Sequence, residues 1–238
     1  MKKQNVAAIV GAGPGLGAAV ARRFANEGYT VALLARDQIK LEKIKQSIEQ
    51  TGGSALRYSA DVTREEQLEQ TFHEITQSAG NIGVLVYNAG DFRMDSILDI
   101  DSEEFKRSWE VNCLGAFICS KLVLPKMIED KQGTIIFTGA TASKRGSAMF
   151  SRLAVGKFGL RALAESMARE FGPKGIHIAH VIIDGQIATP YYLETQPDRD
   201  PLTLLSPESI AEQYWQIHKQ DPTSWTLEID LRPSVEKF

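Results

Sequence analysis

Seven short apolar runs, separated by segments with apolar residues at helical spacing, leave this chain few ways to fold. The runs are VAAIV (6–10), TVALLA (30–35), ALRYSAD (55–61), VLVYN (84–88), TIIFTG (134–139), HIAHVII (177–183) and TLEIDL (226–231). Most are apolar throughout rather than alternating, so both faces of each predicted strand must be covered, as in a parallel sheet. Segments 38–50, 64–78 and 154–171 carry the helical pattern. Alternating β and α units joined by right-handed crossovers predict an α/β chain whose doubly wound parallel sheet has helices on both faces. With 238 residues and no linker, the chain reads as one domain over 1–238. The least regular stretch, PYYLETQPDRDPLTLLS (190–206), reads as a Pro-rich loop able to act as a substrate lid.

Composition narrows the partners. A hydrophobic content of 43%, a charged content of 24% and a net charge of −3 fit an ordinary globular chain. Basic residues are scattered, which argues against nucleic acid. No stretch approaches the roughly 18 apolar residues of a membrane helix. MKKQNVAAIVGAG starts like a leader peptide, but its apolar run is too short and leads into glycines. Cys113 and Cys119 lie six apart in a predicted helix, on different faces, so a mutual bridge is not expected. A reducing compartment, and so a cytoplasmic location, is the expectation.

The chemistry begins at VAAIVGAGPGLGAAVARRFANEG, which reads as strand, glycine loop and helix. Gly11, Gly13, Gly15 and Gly17, with Pro14 and Leu16 between them, let backbone approach a pyrophosphate. The amides and dipole at the helix start then hold the anion. At the end of the second strand stands Ala35, where NAD-preferring folds usually carry an acid, followed by Arg36. A guanidinium pairs with a 2′-phosphate that a carboxylate would repel. NADP(H) is therefore favoured over NAD(H), although Asp37 leaves NAD(H) open.

GAGPGLG (11–17), Asp61-Val62, Asn88-Ala89-Gly90, VNCLGAF (111–117) and Lys157 resemble, in order and spacing, the short-chain dehydrogenases/reductases. The resemblance spans essentially the whole chain. It implies one Rossmann-type domain with seven strands in the order 3-2-1-4-5-6-7, and a homodimer or homotetramer assembled through helices at 112–129 and 154–171. It also implies roles: Asp61 at the adenine, Asn88–Gly90 along the ribose, Asn112 in a relay, Lys157 on the nicotinamide ribose and Thr189 on the carboxamide. Where the family has Pro-Gly, this chain has Asp184-Gly185.

The same resemblance exposes a gap. The family's tyrosine, four residues before the lysine, is Leu153, and its serine is Ala140. Loss of a general acid costs about 10²–10⁴ in rate, and loss of an oxyanion donor ~10²–10³ more. Thr138, Thr141, Ser143, Ser147, Ser151, Asp184, Tyr191 and Tyr192 are the nearby groups that could compensate, as could a Lys157 whose pKa burial lowers. His177 and His180, three apart on a predicted strand, face opposite sides, and His73 and His218 fall in surface-helix patterns. No zinc or P-loop spacing occurs, so no metal is expected.

Two functions compete. The first is an NADP(H)-dependent oxidoreductase acting on a small-molecule carbonyl or conjugated C=C bond with a non-standard proton donor. The alternative is an NADP(H)-binding pseudoenzyme serving as redox sensor or scaffold. The tail 232–238 (RPSVEKF) departs from the family's usual ending and is expected to pack across an interface or a neighbouring pocket. Trp225 reads as core or interface.

Overall fold

The computed structural model of the chain describes residues 6–236. Its strands are β1 (Val6–Val10), β2 (Thr30–Ala35), β3 (Ser54–Ser59), β4 (Ile82–Tyr87), β5 (Gly133–Thr138), β6 (Ile176–Ile183), the two-residue β7 (Gln186–Ile187) and β8 (Leu204–Leu205), and β9 (Glu228–Leu231). Seven of them form one parallel sheet in the order β3-β2-β1-β4-β5-β6-β9. This is the expected 3-2-1-4-5-6-7 order, with β7 and β8 intervening before the last strand as a separate two-stranded pair.

The helices are α1 (Leu16–Asn26), α2 (Gln38–Glu49), α3 (Glu65–Ala79), α4 (Ser102–Trp109), α5 (Gly115–Asp130), α6 (Ser151–Phe171), α7 (Pro190–Thr195) and α8 (Pro207–His218). They explain why the strands are apolar on both sides. Ala7 and Ile9 of β1 enter a core with α1, α2 and α8, whereas Val6, Ala8 and Val10 enter a second core with α3, α5 and α6. Only edge strand β3 alternates toward solvent.

Three expectations change. Residues 190–206 are not a plain loop: they hold α7 and β8, and β8 pairs with β7 beside the end of β6. A run of 29 helical residues, Ser102–Asp130, is long enough to cross a membrane and contains an 18-residue window of mean hydropathy 1.5. The sequence reading missed it because a π-helical turn (Glu110–Leu114) fuses α4 to α5, and half of the apolar window is buried within this fold. His218 is no surface residue, since its ring is wedged between the Tyr29 hydroxyl (2.7 Å) and Thr134 Oγ1 (2.9 Å). Burial holds its pKa down to about 4. Trp225 is part of the packing and stacks on His177 at 4.8 Å.

The tail turns back on its own chain. Arg232 reaches Asp184 at 3.2 Å, and a Cβ on Gly185 (φ +146°) would lie 2.8 Å from the Pro233 ring. Lys237 and Phe238 lie outside the described residues.

Candidate active site

In a parallel sheet every strand delivers its C-terminal end to the same edge, and there the strand order reverses between β1 and β4. The glycine loop leaves β1 at that edge. Gly11 is positive in φ (+87°), and a Cβ there would lie 2.4 Å from the Ala89 nitrogen. The loop is thereby pressed onto the Asn88–Gly90 segment that follows β4. Asn88 locks the contact, its Nδ2 donating to Gly11 O at 2.9 Å. A Cβ on Gly17 would strike Gly11 O at 2.5 Å, so α1 packs tightly on its own loop. Gly13 meets nothing within 4 Å and borders open space. Helix α1 then begins with no side-chain cap and no acidic residue in its first turn, so its amide end is available to an anion.

A cavity of about 420 Å³ runs along this edge. Gly11, Gly13, Pro14, Arg36, Asp61, Val62, Asn88, Ala89 and Gly90 line it. Gly15, Leu16, Gly17, Lys157 and Thr189 lie outside the lining: Leu16 is buried in the core, and Thr189 packs 2.7 Å from the place a Gly15 Cβ would take. The cradle, the uncapped helix start and the cavity beside them fit a dinucleotide.

At one end of the cavity the charges are distinct. Asp37 caps α2, accepting from the N–H groups of Ile39 and Lys40 (each 3.1 Å). Those bonds and the Lys40 ammonium hold its carboxyl below the usual range. Arg36 is exposed and makes no ion pair among the described residues. Lys40, which the sequence reading passed over, joins it in the lining. Asp61 is engaged as well, with Oδ1 taking the Thr63 N–H and hydroxyl and Oδ2 taking Arg107 at 3.1 Å.

Toward the other end, Asn112 sits in the π-helical turn and is fully buried. Its Nδ2 donates to Ser108 O (2.9 Å) and Asp91 O (3.2 Å). Lys157 lies across Gly90 from it: a Cβ on Gly90 would be 3.4 Å from Asn112 Oδ1 and 3.9 Å from Lys157 Nζ. Gly156 lets α6 come this close, since a Cβ there would be 2.6 Å from Asn112 Cβ. Lys157 Nζ donates to Thr138 O at 2.8 Å, and burial pulls its pKa down to about 8.

The corner between β5 and α6 is hydrocarbon. Ala140 and Leu153 belong to one small apolar cluster with Ala142, Ala154 and Phe150. Three of the hydroxyls named above are already committed. Thr138 bonds Tyr214 at 2.8 Å, and Thr141 donates to Asp184, which Arg232 holds from its other side. Ser143 receives the Ala140 N–H at 3.1 Å and meets His180 Nε2 at 3.4 Å. His180 continues to Glu228 (3.0 Å) and Glu228 to Arg161 (2.7 Å). Burial lowers the His180 pKa against the opposing pull of Glu228. His177 and His180 do face opposite sides, one to Trp225 and one to Ser143. Ser147 and Tyr191 are exposed. Cys113 and Cys119 are free thiols, and burial raises the pKa of both.

A parallel sheet of this order with a glycine cradle at its switch point defines a dinucleotide-binding oxidoreductase fold. The family model described as short chain dehydrogenase matches residues 5–200. A short-chain dehydrogenase/reductase of Armillaria gallica is 35% identical over 212 residues, covering 88% of this chain and 79% of that protein. Among solved structures, a short-chain dehydrogenase from Rhodopseudomonas palustris superimposes with a TM-score of 0.84 at 35% identity, over 97% of this chain and 99% of that one. An alcohol dehydrogenase from Thermococcus sibiricus complexed with 5-hydroxy-NADP gives a TM-score of 0.87 at 27% identity, over 98% of each chain. The chain belongs to the short-chain dehydrogenase/reductase family.

Proposed function

We propose that the protein is an NADP(H)-dependent oxidoreductase that reduces a small-molecule carbonyl or conjugated C=C bond without the family's serine and tyrosine. The observation that carries this reading is the cavity itself, continuous from Arg36 and Lys40, past Gly13, to Gly90. When bound, a reduced nicotinamide supplies the hydride. Arg36 and Lys40 would grip a 2′-phosphate, because Asp37 is already spent as a helix cap. The loop of Gly11, Gly13, Pro14, Gly15, Leu16 and Gly17 and the start of α1 would hold the pyrophosphate. Asp61 and Val62 would bound the adenine, with Asn88, Ala89 and Gly90 along its ribose. Lys157 would hold the second ribose, and Thr189 would reach the carboxamide. Asn112 would steady Asp91 and the segment after Gly90. With a pKa near 8, Lys157 can also release a proton close to neutrality. Exposed Phe117, Val155 and Phe158 on α5 and α6 support a homodimer or homotetramer assembled through those helices. Fluorescence titration should show NADPH bound at least ~10-fold more tightly than NADH. Screening with activated enals, ketones and thioesters should show cofactor oxidation. Equal affinities would remove the NADP(H) preference, and an unoxidised cofactor across the screen would remove the activity.

A second reading, a nucleotide-binding pseudoenzyme, is favoured by the apolar packing of Ala140 and Leu153. It expects tight NADPH binding without turnover, and ketoreductase activity created by Ala140→Ser with Leu153→Tyr. Failure of the double variant to reduce any ketone would count against a simple loss of the two donors.

A further inference from the structure

The first turn of α6 holds a buried cation outside the motifs discussed so far. Arg152 is 3% exposed, yet it lines the cavity beside Gly90, Asp91 and Arg93. One of its Nη groups donates to Asp95, whose own N–H is fixed to Met149 O at 2.9 Å. Its Nε is buried with no acceptor. A donor left in that state costs about 1–3 kcal/mol, so the site is short of an acceptor oxygen. The turn has no side-chain cap and no acidic residue, and Ser151 Oγ on it is likewise buried without a partner. A helix start of this kind favours an electron-rich ligand. Asp91, Arg93, Glu104 and Arg107 share the lining with Arg152, and an apolar patch adjoins it: Phe92 tilts against Phe150 at 5.6 Å, Met149 is exposed, and Leu153 clusters with Phe150.

We infer that Arg152 recognises substrate, its guanidinium donating to the acyl oxygen of a compound with an apolar tail. Asp95 balances its charge, so the site offers an oriented N–H donor in the cavity beside Gly90 and Asp91. Its place in a reaction rests on the oxidoreductase reading above; its test does not. Trans-cinnamate and the neutral cinnamamide are titrated calorimetrically into the full-length protein, with and without NADPH. Wild type binds. Arg152→Leu weakens binding by about 10-fold or more, and Arg152→Lys recovers part of the loss. Asp95→Asn, which spares the guanidinium and removes a competing carboxylate, tightens cinnamate by ~3-fold. Cinnamate bound without the amide identifies the ligand as an acid, and binding of both identifies a carbonyl. Either result supports the assignment. Equal affinities in Arg152→Leu and wild type would reduce Arg152 to a clasp for residues 91–95 and overturn it, as would no binding of either probe to folded wild type. Should Arg152→Leu not fold, absence of tightening in Asp95→Asn overturns it instead. Cinnamate binding without NADPH binding would sink the oxidoreductase reading alone, and the converse would sink only the acyl site.

Discussion

The glycine loop and the β5–α6 corner lie at the same edge of one sheet, but they are built from different material. The loop is made of backbone, and its geometry excludes side chains: Gly11 and Gly17 have main-chain atoms within 2.5 Å of where a Cβ would stand. The corner is made of side chains in a small apolar cluster, where a hydroxyl can give way to hydrocarbon and the packing closes around it. A backbone site therefore cannot drift without unfolding its surroundings. A side-chain site can lose its donors and leave the fold intact.

The sharpest way to break this contrast is Gly11→Ala. The substitution combines a left-handed backbone with a clash against the Ala89 main chain, so it should cost at least ~2 kcal/mol in chemical denaturation and abolish nucleotide binding. A stable, NADPH-binding variant would show that the loop has more freedom than its contacts allow. On the corner side, the effect is electrostatic. Lys157 titrates near 8 when folded and near 10.5 when unfolded, so between those values the unfolded chain binds the extra proton. Stability should therefore rise with pH across that window, with a slope approaching ~1.4 kcal/mol per pH unit. In Lys157→Met the rise should be absent, as followed by urea unfolding at pH 7.5, 9 and 10.5. The smallest effect lies at the far end of the cavity. Arg36→Ala should weaken NADPH by roughly 10-fold and leave NADH unchanged, and parallel losses for both would mean that Arg36 does not read the 2′-phosphate.

The sheet was legible because its central strands are buried on both faces and announce themselves as unbroken apolar runs. β3, the edge strand, was the weakest of them, and its exposed positions 57 and 59 show why. The glycine loop was equally plain, since nothing but glycine satisfies its sterics at Gly11. Other parts gave little local signal. The π-helical turn at 110–114 looks like ordinary helix in sequence, and the 190–206 segment owes its strand to a partner at Gln186–Ile187. His218 has a surface pattern, but it faces Tyr29 and Thr134, which lie far away along the chain. Arg152 reads as one more scattered charge until α6 buries it against Asp95.

By itself, then, the amino-acid order dictated the α/β alternation, the glycine loop and the hydrocarbon side chains at Ala140 and Leu153, because each depends on neighbours within a few residues or on the identity of a single side chain. Only the tertiary structure decided which charges are free and which are spent. Asp37 became a helix cap, Asp61 took Arg107, Asp184 was clamped by Thr141 and Arg232, and Arg152 kept an unmatched donor. The reason is physical: hydrogen-bond partners and dielectric surroundings are set by residues distant in sequence, and these determine whether a charged group is available for chemistry.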